Sequence, residues 1–208
     1  MISIIDYGAG NIRSIENALR KVGAEVSVNQ KIDRKADALV LPGVGHFGDV
    51  MGKLGFVKGD LIDAIESGKP FLGLCLGLQV LFEGSEEAPG VNGLGILKGS
   101  CKRFKENEAG KVPHMGWNQV GFQPTGLQSS VLGLQSPLFK GLRTGENFYF
   151  VHSYYAPVVK ETIGVCSYGT EFSAAVQKKN VFACQFHPER SGEAGLRILR
   201  NFVELARK

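Results

Sequence analysis

The sequence predicts an α/β protein built on a mixed sheet. Three observations lead there. Short apolar, β-rich runs alternate with helix-period segments through the first half of the chain. The second half is denser in strand-like runs, several spaced to pair as hairpins. A last amphipathic segment closes the chain. Strands that alternate with helices imply a parallel sheet covered on both faces, and the strand-rich half implies an antiparallel extension of it.

Met1–Asp6 is apolar and β-rich, a first strand. Asn11–Val22 carries Ile12, Ile15, Leu19 and Val22 at helical spacing, and Gly23 stops it. Glu25–Val28 is a short strand. Ala38–Leu41 is another and runs into PGVG. Asp60–Ser67 is a short helix through Leu61, Ile62 and Ile65, closed by Gly68. Pro70–Leu74 reads as a buried strand and Leu76–Phe82 as helix. Further strands are expected at Leu94–Phe104, Trp117–Phe122, Phe148–His152, Ile163–Tyr168, Ser173–Gln177 and Val181–Phe186. The closing helix, Ala194–Ala206, places Leu196, Leu199, Val203 and Ala206 on one face.

Composition narrows the function classes. The chain has 208 residues, enough for one sizeable core, with 43% hydrophobic and 21% charged residues, which excludes disordered and collagen-like chains. Net charge is +4 without a dense basic run, so nucleic acid is not implied. No apolar run approaches the ~20 residues of a membrane helix. The MISIIDYGAGN start lacks the basic-then-apolar pattern of a signal peptide, and a cytoplasmic protein is expected. The four cysteines, Cys75, Cys101, Cys166 and Cys184, show no CxxC spacing, and no HExxH occurs, so neither a metal nor another cofactor is expected.

The informative stretch is PFLGLCLGLQ, Pro70–Gln79. A strand leads in, a helix leads out, and Cys75 sits between Gly73 and Gly77. This is the pattern of a nucleophile elbow with cysteine in place of serine. The thiol projects from a strained turn, the helix N-terminus favours the thiolate, and the Leu76 N–H can face a developing oxyanion. Cysteine in an apolar run is more often core packing, and the glycine frame is what weakens that reading.

A nucleophilic cysteine needs a base. His187, in FACQFHPERSG, ends a strand-like run, Pro188 stops the strand, and Glu189 lies two residues on. Residues two apart on extended backbone share a face, so the carboxylate can orient the imidazole. Taken singly each is an ordinary surface residue; with the elbow they form a Cys–His–Glu arrangement of nucleophile, base and orienter. The loop PGVGHFGD, Pro42–Asp49, is either a plain strand-to-helix turn or a second source of oxyanion N–H groups at Gly43 and Val44. It lacks the lysine of a Walker loop, and GAGN at Gly8–Asn11 is no dinucleotide fingerprint.

GLCLGLQ, PGVG and HPE, in this order, resemble the class I, triad-type glutamine amidotransferases, and the resemblance spans the chain. IDYGAGN (Ile5–Asn11), PHMGWN (Pro113–Asn118) and FYFVHSYY (Phe148–Tyr155) resemble one branch, the glutaminase subunits of imidazole glycerol phosphate synthase. The resemblance implies a single domain over 1–208: a three-layer α/β/α, flavodoxin-like fold with a central mixed, mostly parallel sheet. It implies that Cys75 attacks the side-chain amide of L-glutamine, that His187 shuttles the proton and that Glu189 orients His187. Gly43, Val44 and Leu76 would supply the oxyanion N–H groups. Gln79 and Glu87 would grip the amino-acid end of the substrate, and Ser153 and Tyr154 would complete that pocket through backbone groups. The implied partner is a (β/α)8-barrel cyclase subunit in a heterodimer, which takes the ammonia for histidine biosynthesis. Met115, Trp117 and Asn118 would face it. Arg190 is either a surface charge or an ion-pair partner at that interface. Slow hydrolysis by the isolated chain is also implied, because the glycines permit a peptide flip that the partner would induce.

His46, His114 and His152 read as structural histidines, and Cys101, Cys166 and Cys184 as core. Without the family motif Trp117, the only tryptophan, would also read as core. Three other readings remain open: the same glutaminase feeding another synthase, such as a sugar amidotransferase; a thiol hydrolase or peptidase on the same sheet; and a non-catalytic module in which Cys75 only packs.

Overall fold

A computed structural model describes residues 1–8, 11–122 and 136–207. Residues 9 and 10 of the GAGN stretch lie outside these. In chain order the elements are β1 (Ile2–Ile5), α1 (Ile12–Lys21), β2 (Val26–Asn29), β3 (Ala38–Leu41), α2 (Phe47–Leu54), α3 (Lys58–Glu66), β4 (Phe71–Leu74) and α4 (Leu76–Gln79). There follow β5 (Gly84–Ser85), β6 (Ser100–Arg103), α5 (Glu106–Ala109), β7 (His114–Phe122), β8 (Glu146–His152), β9 (Tyr154–Tyr155), β10 (Thr162–Tyr168), β11 (Thr170–Lys178), β12 (Val181–Cys184) and α6 (Gly192–Ala206).

Among the described residues the main sheet has nine strands in the order β2-β1-β3-β4-β12-β11-β10-β7-β8. The strands from β2 to β12 are mutually parallel, and those from β11 to β8 extend the sheet antiparallel. A small second sheet, β5-β6-β9, lies apart from it. Successive strand residues point to opposite faces and feed two apolar clusters. Leu72 and Leu74 of β4 join Ile15 and Leu19 of α1 and Ile198, Leu199 and Phe202 of α6. Phe71 of β4 and Leu39 and Leu41 of β3 join Phe47, Val50 and Leu54 of α2 and Leu61 of α3. Helices on both faces of one sheet make the three layers.

The departures from the sequence-based elements have local causes. Helix α4 ends at Gln79 rather than Phe82, because the carbonyls of Val80, Leu81 and Phe82 accept hydrogen bonds from Leu94, Leu97 and Gly95. The strand expected over Leu94–Phe104 is confined to Ser100–Arg103, since Gly95 and Gly99 adopt positive φ and break the extended run. Helix α2, left without bounds by the strand-to-helix reading of PGVGHFGD, has two glycines that weaken its propensity; it is held by His46, whose Nδ1 accepts from the Gly48 N–H at 3.2 Å, and by its buried face.

Candidate active site

Strands β3, β4 and β12 are adjacent and parallel, so their C-terminal ends open on one edge of the sheet, where ligands bind in open α/β folds. β3 delivers Pro42–Gly45, β4 delivers Cys75, and β12 runs on to Gln185 and His187.

Cys75 sits at φ 53° and ψ −108°, a backbone region that costs a side chain of order 1–3 kcal/mol. Its N–H donates to the Cys184 carbonyl at 2.7 Å, which ties the turn to β12. The flanking glycines allow close approach: a Cβ on Gly77 would overlap the Leu41 carbonyl, and one on Gly73 would overlap the Gly77 carbonyl. The elbow expected from GLCLG is therefore present.

His187 is held by its main chain. Its N–H donates to the Tyr149 carbonyl at 2.9 Å, and its own carbonyl accepts from Ser191 Oγ at 2.7 Å. Its Nδ1 lies 2.9 Å from Glu189 Oε1, and both side chains are almost wholly buried. Burial disfavours the imidazolium, but the hydrogen bond to Glu189 and the nearby charges of Cys75 and Glu189 outweigh it and raise the pKa to about 10. Nε2 is buried and has no hydrogen-bond partner, which leaves it free to exchange a proton with a bound group.

These groups face a cavity of about 350 Å³, lined also by Gln79, Glu87, Ser153, Tyr154, Val44 and Leu76. That volume suits a small-molecule ligand. Glu87 Oε2 accepts the Phe47 N–H at 2.7 Å at the start of α2, with its other oxygen available to a ligand's ammonium. Gln79 is anchored, its Nε2 donating to the Tyr154 carbonyl at 2.8 Å and to Gln185 Oε1 at 3.0 Å. The Tyr154 carbonyl is thus occupied, and the Ser153 carbonyl accepts from the Phe104 N–H. Backbone contacts from this pair to a ligand fall to their N–H groups.

The N–H groups expected to hold an oxyanion are not turned to the thiol. The Leu76 N–H points to the Gly43 carbonyl at 3.4 Å, so the Gly43–Val44 peptide presents its C=O, not its N–H, toward Cys75.

Sequence reasoning missed two residues. Gln185 is fully buried, and its Nε2 lies 3.6 Å from Cys75 Sγ. Its place two residues before His187 on the same extended segment was the available signal. Tyr7, buried at the end of β1, donates its hydroxyl to the Pro42 carbonyl at 3.0 Å.

Next to the cavity, Met115 and Trp117 project from β7 and are 62% and 58% exposed. Trp117 packs edge-on against Tyr149, its partner across β8, and Arg190 lies over the Tyr149 ring at 5.8 Å. Asn118 departs from the expected group. It points to the opposite face of β7, as strand alternation requires, and bonds the Ser167 carbonyl at 3.0 Å and His114 Nε2 at 3.2 Å. His114 contacts His152 at 3.1 Å, and burial lowers their pKa values to about 4 and about 3, so both are neutral; His152 also lines the cavity. The thiols of Cys101, Cys166 and Cys184 are buried and pushed up by desolvation. Among the described residues no helix is long and apolar enough to cross a membrane.

The chain that carries this arrangement is matched by a family model over nearly its whole length. The glutamine amidotransferase class-I model covers residues 3–206, and the chain belongs to that family of enzymes. Within it, the chain is 51% identical over 210 aligned positions to imidazole glycerol phosphate synthase subunit HisH of Methanothermobacter thermautotrophicus, spanning all of both chains. The subunit of the same name from Thermococcus kodakarensis is 47% identical, over 99% of this chain and 100% of that one. In fold alone, the chain is similar to a crystal structure of a glutamine amidotransferase (TM-score 0.73, 20% identity, 100% and 99% of the two chains). The same holds for PurLQS from Thermotoga maritima (TM-score 0.72, 21% identity, 98% and 97%).

Proposed function

We propose that this chain, one domain over residues 1–208, is the glutaminase subunit of an imidazole glycerol phosphate synthase in the cytoplasm. It hydrolyses L-glutamine and passes the ammonia to a (β/α)8-barrel cyclase subunit in a heterodimer. The observation that carries the reading is the full-length identity of about one half to subunits of that name, joined to a cavity lined by Cys75 and by His187, whose Nδ1 Glu189 holds.

The chemistry follows from the geometry. The Cys75 thiolate adds to the side-chain amide carbon of glutamine. The charge on the amide oxygen needs the N–H groups of Leu76 and of the Gly43–Val44 peptide. The His187 imidazolium, raised by Glu189 and the thiolate, gives its Nε2 proton to the departing nitrogen, which leaves as ammonia. Neutral His187 then takes a proton from water, hydroxide adds to the thioester, and glutamate leaves as the thiol is restored. Glu87 and the Gln79 carbonyl oxygen take the substrate ammonium. Trp117, Met115, Tyr149 and Arg190 form the face the cyclase covers, beside the cavity mouth, so ammonia is delivered before water protonates it.

The turned-away Gly43–Val44 peptide supports low activity in the isolated chain, since one oxyanion donor is missing and the other is occupied. The test is glutaminase activity of the purified chain, alone and mixed with the barrel cyclase and its phosphorylated substrate. A large rise on mixing is expected. Equal activity in both conditions would contradict the proposed coupling, and slow hydrolysis without a rise would point to a different acceptor, such as a sugar.

A further inference from the structure

A line of hydrogen bonds runs from β7 to the sulfur of Cys75. Asn118 Oδ1 accepts the Gln119 N–H at 2.8 Å, so its Nδ2 is the donor to the Ser167 carbonyl and to His114 Nε2. His114 Nδ1 meets His152 Nε2 at 3.1 Å, and His152 Nδ1 meets the Tyr154 carbonyl at 2.8 Å. That carbonyl also accepts from Gln79 Nε2, which donates its second proton to Gln185 Oε1. Gln185 Nε2 donates in turn to Cys75 Sγ.

The protons along this line have one arrangement. A carbonyl only accepts, so His152 Nδ1 carries a ring proton. Both rings are neutral and a neutral ring has one N–H, so His152 Nε2 is an acceptor and His114 Nδ1 is its donor. His114 Nε2 is then an acceptor and takes the Asn118 amide proton. Gln79 spends both Nε2 protons on oxygens, which leaves its Oε1 for a ligand. His152 and Gln79 line the cavity. His114 stands one layer back, stacked between the rings of Phe150 and Tyr168 at centroid distances of 4.8 and 4.0 Å.

We infer that His114 is a positioning residue for glutamine hydrolysis: through His152 it holds the Tyr154 carbonyl against Gln79, and so keeps Gln79 Oε1 turned to the ammonium end of the substrate. This rests on the proposed function and on Gln79 as a group that grips glutamine. Without the His114 N–H, the buried His152 Nε2 has no donor. Either its lone pair stays unpaired, or the proton moves to Nε2 and Nδ1 faces the Tyr154 carbonyl as a second acceptor. Both loosen the carbonyl on which Gln79 is aligned.

Two replacements separate this role from packing. His114→Phe keeps a ring between Phe150 and Tyr168 and removes the donor. His114→Asn removes the ring and returns an amide N–H close to the Nδ1 position. The kcat and KM for glutamine are measured for both, in the complex with the cyclase and its substrate. The Phe variant is expected to raise KM about tenfold, the scale of one buried hydrogen bond, with kcat within about threefold of wild type. The Asn variant is expected to bring KM back to within about threefold of wild type. A Phe variant with wild-type KM overturns the inference, as does an Asn variant worse than the Phe variant, the order that packing alone would give. A wild type that does not hydrolyse glutamine even with its cyclase overturns the underlying reading as well. Nitrogen NMR of the wild-type chain needs no variant: His114 and His152 are each expected to be protonated at Nδ1 and bare at Nε2. A proton on Nε2 of either ring also overturns the inference.

Discussion

The two flanks of Cys75 differ. On the β12 side the site is assembled: His187 is fixed by its main chain, Glu189 holds its Nδ1 at 2.9 Å, and Gln185 reaches the sulfur at 3.6 Å. On the β3 side the Gly43 carbonyl, not the Val44 N–H, faces the Leu76 N–H beside Cys75. The contrast is between side chains locked by burial and one peptide between two glycines. On the function proposed above, it teaches that nucleophile and acid are assembled at rest and that stabilisation of the oxyanion is withheld. Control of this kind needs little motion and leaves the costly buried charges in place.

The first way to break the comparison removes the shared centre. Cys75→Ala is expected to abolish glutamine hydrolysis, with or without the cyclase, while the complex still uses added ammonia at alkaline pH. Loss of the ammonia-driven reaction would mean that the chain does more than supply nitrogen. Next comes the assembled flank. Glu189→Gln is expected to lower kcat by roughly 10²- to 10⁴-fold with little change in KM, because the imidazole loses its orienting carboxylate. A selective rise in KM would place Glu189 in the substrate pocket instead.

Trp117→Ala probes how the partner reaches the other flank. An exposed aromatic of this kind is expected to weaken cyclase binding by about 30-fold, read by titration calorimetry, with the isolated chain's hydrolysis unchanged. Unchanged affinity would remove this face from the interface. Gly43→Ala addresses the turned peptide, since a Cβ there would overlap the Gly77 nitrogen and lie 2.6 Å from Leu76 Cβ. A destabilisation of about 1–3 kcal/mol is expected in urea unfolding, the usual cost of overpacking.

The smallest effect concerns His114, packed against His152 of the cavity wall. His114 titrates near 4 in the folded chain against 6.5 for a free side chain, so the unfolded state binds more protons between these values. Stability from this group is full above about pH 6.5 and is lost as pH falls toward 4. His114→Phe, set between the Phe150 and Tyr168 rings, is expected to flatten that decline in urea midpoints. An unaltered slope would assign the acid sensitivity to other groups.

Much of the site was legible because its signals are local. The elbow needs a strand, a cysteine framed by glycines and a helix, all within ten residues. His187 and Glu189 needed only a period of two. Exposure of Trp117 was not legible from the residues themselves, because strand alternation does not say which face is the core. Asn118 was grouped with Met115 and Trp117 by motif, although that alternation puts it on the other face. The run after Gln79 was read as helix because its apolar pattern continues, but its carbonyls bond a later loop.

By itself the amino-acid sequence determined the element types, the alternation that makes three layers and the chemical identity of each reacting group. These depend on backbone propensity, hydrophobic period and side-chain type, which act over a few residues. Tertiary structure alone decided that β3, β4 and β12 lie side by side, that Gln185 meets a sulfur 110 residues away, and that Tyr7 reaches across from β1 to the PGVG turn. It also decided which way the Gly43–Val44 peptide faces. The orientations open to this peptide use the same residues, and the partner its carbonyl takes, the Leu76 N–H at 3.4 Å, is set beside it only by the folded sheet.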